Sequence, residues 1–449
     1  LLEAAYSSYF TRWGWMEPPG AILDLNQVQD TGIGLTYRAL DWHFNRVNWN
    51  QNWRAAASYV TGAHAMKFGY QHGHDIDSGT SFYNHTRVNY RFNNGVPNRL
   101  TMRYGNWYND QHTMHYGLYG QASWRMNRLT LQGAVRYERA WSWFPAGQGW
   151  DGPDRFHAEP QVFDRVTGVP GFNDIMFRGG LAWDIFGTGK TALKANYGQY
   201  VQSANNQDRY TVGNPANSFA QTTNRNWTDG NRNYVPDCDL MNPAAQDNRA
   251  SGGDFCSQWL TPNFGQVTSV STINPAILEG WGVRPSDRQY SVAIQQELLP
   301  RISGEFSYHL RTFSGFTVTD DRARRPADYD QFTITVPSDP RLPGGGGYPA
   351  TFYAAPRTVV ASDNYVTFAS DYGNHSEYWH GFDINLNARL PNGLLLQGGT
   401  STGRGVRDEC EVWAALPELV GSEQLSACKV TEPFQTQFRA LTSYVVPKI

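Results

Sequence analysis

At 449 residues, the chain is longer than one ordinary soluble domain requires. Aromatics make up 14% of it, with 16 Trp and 25 Tyr, yet mean hydropathy is −0.56, a combination that fits a thin apolar outer layer around polar loops and lumen. The net charge of −3, without a charge run, gives no reason to expect nucleic acid; no apolar run approaches the roughly 20 residues of a transmembrane helix, which leaves membrane-crossing strands open.

Residues 1–12 read as a strand with no signal peptide, as in a fragment that begins inside a domain. A long polar loop is expected over 13–51, with Trp13, Trp15, Trp42, Trp49 and Trp53 in or beside it. A strand over about 52–61 meets a turn at Gly62, Ala63 and His64. The next strand sets Met66, Phe68 and Tyr70 against Lys67, Gly69 and Gln71. Residues 72–113 are expected to be a long connection, with an extracellular hairpin turning at Asn94-Gly95, although an extra membrane-spanning pair would keep the same parity.

The clearest pattern is Tyr116 to Glu138. Tyr116, Leu118, Gly120, Ala122 and Trp124 share one face, then Leu129, Leu131, Gly133, Val135 and Tyr137 after a turn at Met126-Asn127-Arg128. The opposite face carries Gln121, Arg125, Gln132, Arg136 and Glu138. A period of two on both arms is a β-hairpin with one apolar face, and each arm is long enough for a tilted strand to cross a bilayer. Similar hairpins follow over about 174–201, 288–311 and from His380 through a Pro391-Asn392-Gly393 turn. A last strand is expected near 437–446, with Pro447 starting a turn.

Two regularities point to a membrane barrel. The apolar faces of these hairpins carry no charge, with Gln296 their clear polar exception, whereas the other faces carry Arg136, Glu138, Arg178, Lys194, Glu305, Asp383 and Arg389. A soluble sandwich would also alternate, with the apolar face inside. The connections also alternate short and long, as in barrels with short periplasmic turns and long extracellular loops. Loops of this length count against a soluble domain. The expected fold is therefore all-β: a transmembrane antiparallel β-barrel domain over 1–449 with about twelve strands, in the outer membrane of a Gram-negative-type bacterium.

YGLYGQASW…RLTLQGAVRYE resembles a hairpin of TonB-dependent outer-membrane receptors, and HAMKFGY at 64–70 resembles one of their strands. FRGGLAWDIFGTGKTALKANYGQY (177–200), VPDCDLMNP (235–243), ILEGWGVRPSDRQYSVAIQQELLPRIS (277–303), DYDQFTITVPSDPRLPGGGGY (328–348) and LLLQGGTSTGR (394–404) resemble the Oar-like branch. Ala122 departs from the Asp usual in the first motif. The resemblance implies a 22-stranded barrel around an N-terminal plug, often preceded by a carboxypeptidase-regulatory-like domain. It also implies import of an unknown extracellular ligand driven by the TonB complex through the plug. On that resemblance the plug and the extension before it, the TonB box, some early strands and the final strands are expected to fall outside this sequence. A monomeric barrel in contact with outer-membrane lipid and lipopolysaccharide is expected.

Cys238 with Cys256 and Cys410 with Cys428 each lie 18 positions apart in loop-like sequence. Two local disulfides are expected; a zinc site would lack CxxC spacing and a neighbouring His. Asp229, Asn231, Asn233, Asp237 and Asp239 place oxygens at alternate positions, as a calcium loop does, without the bidentate Glu; an ordinary Asn/Asp turn is the plainer reading and no other cofactor is expected. GTGKT at 187–191 lacks the first Gly of a phosphate loop and reads as a hairpin turn. HGHD at 72–75 reads as exposed loop residues rather than a metal site. Trp227, Trp259 and Trp281 either stack on a ligand or pack as girdle and loop residues. Arg322, Arg324 and Arg325 either hold an anion such as a lipopolysaccharide phosphate or form a solvated loop. Nothing resembles a catalytic constellation, so a non-enzymatic receptor is expected, with a surface-adhesion or assembly protein as the alternative.

Overall fold

The computed structural model describes residues 1–449 except 16, 18, 269–270, 355–361, 392 and 447–449. Asn392 and Pro447 of the expected turns thus lie outside the described residues. Twelve long strands form a continuous antiparallel meander: β1 (Leu2–Trp15), β2 (Trp42–Thr61), β3 (His64–Tyr83), β4 (Trp107–Met126), β5 (Leu129–Phe144), β6 (Gly171–Asp184), β7 (Thr191–Val201), β8 (Ser286–Leu299), β9 (Ile302–Ser314), β10 (Ser376–Arg389), β11 (Leu394–Asp408) and β12 (Gln435–Tyr444). Each pairs with the next in sequence, from β1 on β2 to β11 on β12.

Among the described residues, the tight turns that join neighbouring strands fall at one end of this sheet. Gly62, Asn127 and Arg301 adopt left-handed φ values of 53°, 47° and 70° there, the conformation that reverses a twisted hairpin in two or three residues. At the 185–190 turn, Asp184 accepts from the backbone N–H of Gly187 at 3.0 Å and Gly189 at 2.8 Å. The two glycine amides of this GTGKT turn are therefore filled by the chain's own carboxylate.

The faces separate as the alternation requires. Phe68, Leu118, Val135, Phe177, Ile294, Phe306 and Ile384 all lie bare on one side, with Phe177 54% and Leu118 51% exposed. So many large apolar side chains left open on one contiguous surface mark a lipid-facing wall. Gln296 on this side sits at the turn end, where the Thr191 hydroxyl donates to its Oε1 at 2.7 Å. The polar face is concave: one hollow on it touches β2, β3, β4, β5, β6 and β7 together through Ser58, Lys67, Gln121, Gln132, Arg178 and Asn196.

Strands near the N-terminus run beyond their expected limits. Residues 42–51, 72–83 and 107–113, expected as loops, continue β2, β3 and β4 as a ladder. Trp42, Trp49 and Trp53 are strand residues, and Trp13 and Trp15 end β1. Above the lipid layer the outward positions become His, Asn and Trp, so pairing persists while the apolar–polar alternation that reveals it fades. His72 and His74 of HGHD are correspondingly in β3 and half-buried, not exposed loop residues.

Candidate functional site

The long connections meet at the end opposite the turns and build a folded crown. Segments Val28–Asp30, Leu35–Tyr37, Val88–Asn93, Val96–Arg103, Thr222–Thr228, Gln246–Asp247 and Phe255–Cys256, drawn from three different loops, form one seven-stranded sheet. Its core gathers Val28, Tyr90, Leu100, Met102, Trp150, Phe219, Trp227 and Cys256. The expected hairpin turns at Asn94-Gly95, where both residues have positive φ.

Asp30 caps that turn. Its carboxylate accepts from the N–H groups of Asn94 at 2.9 Å and Gly95 at 2.6 Å, and from Gly32 at 3.0 Å. Burial opposes the charge, but these backbone donors outweigh it and hold the Asp30 pKa below the ordinary 3.8. A depressed folded pKa stabilises above 3.8 and is lost as pH falls through the lower folded value. Hydrogen exchange at Asn94 and Gly95 should therefore accelerate on acidification in that window, and Asp30→Asn should remove this pH dependence.

Buried arginines bind the loops to one another and to the wall. Arg225, fully buried, donates to the carbonyls of Ser257, Asp239, Asn242 and Ala244 at 2.7–3.1 Å. Arg209 donates to Ile277, Val283 and Gly315, tying two long loops together; burial lowers its pKa to about 10. Arg284 reaches the wall: it pairs with Asp174 of β6 at 2.6 Å and Glu138 of β5 at 2.9 Å, and donates to the Tyr210 hydroxyl at 3.3 Å. Burial raises the Tyr210 phenol to about 12. Burial also opposes the Arg284 charge, but Tyr210, Glu138 and Asp174 outweigh it and raise its pKa.

Both cysteine pairs are disulfides, Cys238–Cys256 and Cys410–Cys428. The first closes the loop around Arg225. Replacing Cys238 and Cys256 together by Ser is expected to cost the crown about 3 kcal/mol, the value for a closed loop of roughly this length. Protease cleavage within 202–285 on intact cells should rise while detergent-resistant strand structure is retained.

The sequence candidates separate on this geometry. Trp227 is a core residue, its indole N–H donating to Asp254 at 2.9 Å. Trp259 packs on the same core and donates to the Leu240 carbonyl at 3.3 Å. Trp227 is thus closed into the core, and Trp259 is half-buried against it. Trp281 is 66% exposed and lies 5.8 Å from Tyr137 on the outer face, a girdle position. Arg322 pairs with Asp363 at 2.8 Å and Arg324 with Asp321 at 3.1 Å through their guanidinium groups, while at Arg325 it is the backbone N–H that donates to Asp328, at 2.7 Å.

Around Asp229 the oxygens face backbone donors. Asp229 accepts from Asn233 and Tyr234, Asn231 from Asn233, Asn233 from Val235, and Asp239 from Met241; the Asn231 amide donates to Asp237 at 2.6 Å. These are the contacts of an Asn/Asp turn. Among the described residues, no group of three or more His, Cys, Asp or Glu is placed to hold a metal.

Below the crown the concave wall is polar and charge-balanced. Ion pairs recur along it: Lys67 with Glu3 at 2.7 Å, Lys194 with Glu305 at 2.8 Å and Arg311 with Asp287 at 3.0 Å join different strands, and Arg136 pairs with Glu138 two residues on in β5 at 2.8 Å. A hollow of about 1020 Å³ is lined by Tyr200, Gln289, His309, Arg311 and Asp383, and one of about 650 Å³ by Lys67, His115, Tyr119, Arg136 and Arg178. Glycines make room for the wall's large side chains: a Cβ at Gly69 would strike the Tyr119 ring, and one at Gly403 the Trp379 ring.

Several solved structures are similar to this chain. The outer membrane transporter YddB from Escherichia coli is 11% identical, with 93% of this chain and 44% of that one covered at a TM-score of 0.44. The ferripyoverdine receptor of the outer membrane of Pseudomonas aeruginosa is 13% identical, with 100% and 41% covered at 0.42. The alcaligin outer membrane receptor FauA from Bordetella pertussis is 11% identical, with 100% and 48% covered at 0.38. The chain thus spans less than half the length of each of these proteins. No curated protein matches it. The family model described as outer membrane beta barrel domain matches residues 14–399, most of the chain and all of β2 to β10. With its bare apolar wall and its short-turn and long-loop ends, this chain belongs to the outer membrane beta barrel domain family and resides in the outer membrane.

Proposed function

We propose that the chain is the barrel wall of a TonB-dependent receptor of the Oar-like type. It would bind an extracellular ligand at the crown and pass it inward along the polar wall, without catalysis. The carrying observation is the crown itself: three loops share one sheet and one core above a polar, charge-balanced concave surface. Loops on a rigid scaffold are where binding resides, and the scaffold alone does not choose the ligand. The energy would come from the inner membrane through TonB acting on a plug beyond the span of this chain.

The test is uptake of labelled metal chelates by cells with and without the gene, each with and without a protonophore. Accumulation that needs both the gene and the proton-motive force supports import. Equal uptake in the deletion strain, together with altered cell adhesion or surface structure, would replace import with the adhesion or surface-assembly reading.

A further inference from the structure

On the extracellular side, the charges bordering the lipid-facing apolar band are arginines. Arg139 on β5, Arg288 on β8 and Arg404 on β11 each stand about ten residues above their short turn, the length a tilted strand uses to cross the hydrocarbon layer. Their outward direction follows from register. Arg139 lies opposite Tyr116, Arg288 two positions above the exposed Tyr290, and Arg404 opposite His380 beside the outward Tyr308. Below them on the same faces stand Val135 and Leu131, Val292 and Ile294, and Leu396, with no charged residue between arginine and turn.

Aromatic rings flank two of these arginines. The Arg139 guanidinium is 5.9 Å from the Trp141 ring and that of Arg404 is 4.5 Å from Phe434. Arg404 also donates to His380 at 3.0 Å. Among the described residues none of the three forms an ion pair, and the acids of this face, Asp110, Glu279 and Asp408, lie higher, Asp408 already paired with Lys429 at 2.8 Å. A basic belt, uncompensated and at the depth where acyl chains end, is complementary to anionic headgroups. The planar guanidinium matches a phosphate in two parallel hydrogen bonds.

We propose that Arg139, Arg288 and Arg404 form an outward belt that binds the phosphates of outer-leaflet lipid headgroups and fixes the depth of the barrel. The belt takes the role that Arg322, Arg324 and Arg325 could have held; Arg322 and Arg324 are already paired with acids of their own loop. It rests on the orientation of the wall in the membrane and not on import, so a failure of uptake leaves it standing.

The experiment uses the whole protein extracted in a nonionic detergent, with bisphosphorylated lipid A or dephosphorylated lipid A added and adducts counted by native mass spectrometry. The wild type should retain the phosphorylated lipid and not the dephosphorylated one. Arg139→Gln, Arg288→Gln and Arg404→Gln combined should weaken retention by about 10- to 100-fold, while Arg322→Gln, Arg324→Gln and Arg325→Gln combined should leave it unchanged. Unaltered migration on a heat-modifiability gel establishes that each variant is folded; single substitutions replace any combination that is not. Equal retention of both lipids by the wild type, or full retention by the folded belt variant, would overturn the proposal.

Discussion

Replacing Arg284 with Met is expected to destabilise the crown and its seat on the wall by about 3–5 kcal/mol, the cost of removing one partner from a buried ion pair. Arg284 is 1% exposed, and its guanidinium is shared by Asp174 and Glu138 on adjacent strands. Glu138 keeps a second partner in Arg136 at 2.8 Å, whereas Asp174 loses its only described cation. The Gln202 carbonyl and Tyr210 hydroxyl also lose a donor. The loss should therefore release the longest loop at both ends, since Gln202 opens it and Arg284 closes it. Limited proteolysis on intact cells should show cleavage in 202–285, and the denaturant midpoint of the detergent-solubilised protein should fall. Adding Asp174→Asn to the variant should recover part of the loss, because the carboxylate stranded by the first change is then neutral. Equal stability of the wild type and Arg284→Met would mean that the pair contributes nothing net.

The wall was legible because lipid imposes a strict rule on alternate residues. Tyr116, Leu118, Trp124, Leu129, Val135 and Tyr137 face outward and Gln121, Arg136 and Glu138 inward, as alternation requires. The turns at one end follow from chain rhythm and the residues that reverse it. Above the membrane the rule lapses: the outward positions of β3 read His72, His74, Ile76 and Ser78, a sequence no different from loop, yet each is paired with β4. The crown was least legible. Arg225, Arg209 and Arg284 look like ordinary loop cations, and only contacts with carbonyls and acids far away in sequence make them buried anchors. Trp227 illustrates the same point. A tryptophan among Asn, Asp and Gly suggests a ligand platform, but Asp254, 27 residues on, satisfies its indole and closes it into the core. Asp30 offered a weak signal: an aspartate beside glycines caps turns, but the turn it caps lies in a different loop.

The assignment of faces gives opposite expectations for the same substitution three positions apart. Val135 of β5 is 45% exposed and lies opposite Gly120 and Phe177 on the outer wall, about midway between the turn and Arg139. Val135→Arg would put a cation near the bilayer midplane, at an expected cost of roughly 2–4 kcal/mol. Gln132 points to the concave side, beside Ser123 and Gly180, and lines a hollow there with Gln121 and Lys67. Gln132→Arg should stay within about 0.5 kcal/mol of the wild type, as surface changes away from special features do. Folding into phospholipid vesicles, followed by denaturant titration, separates the two. A soluble sandwich would also penalise Val135→Arg, because its apolar face would be internal, but it would fold without lipid. If both variants instead fold equally well in vesicles, Val135 does not face the hydrocarbon, and the orientation of all twelve strands would have to be reversed, because continuous register allows no strand to flip alone.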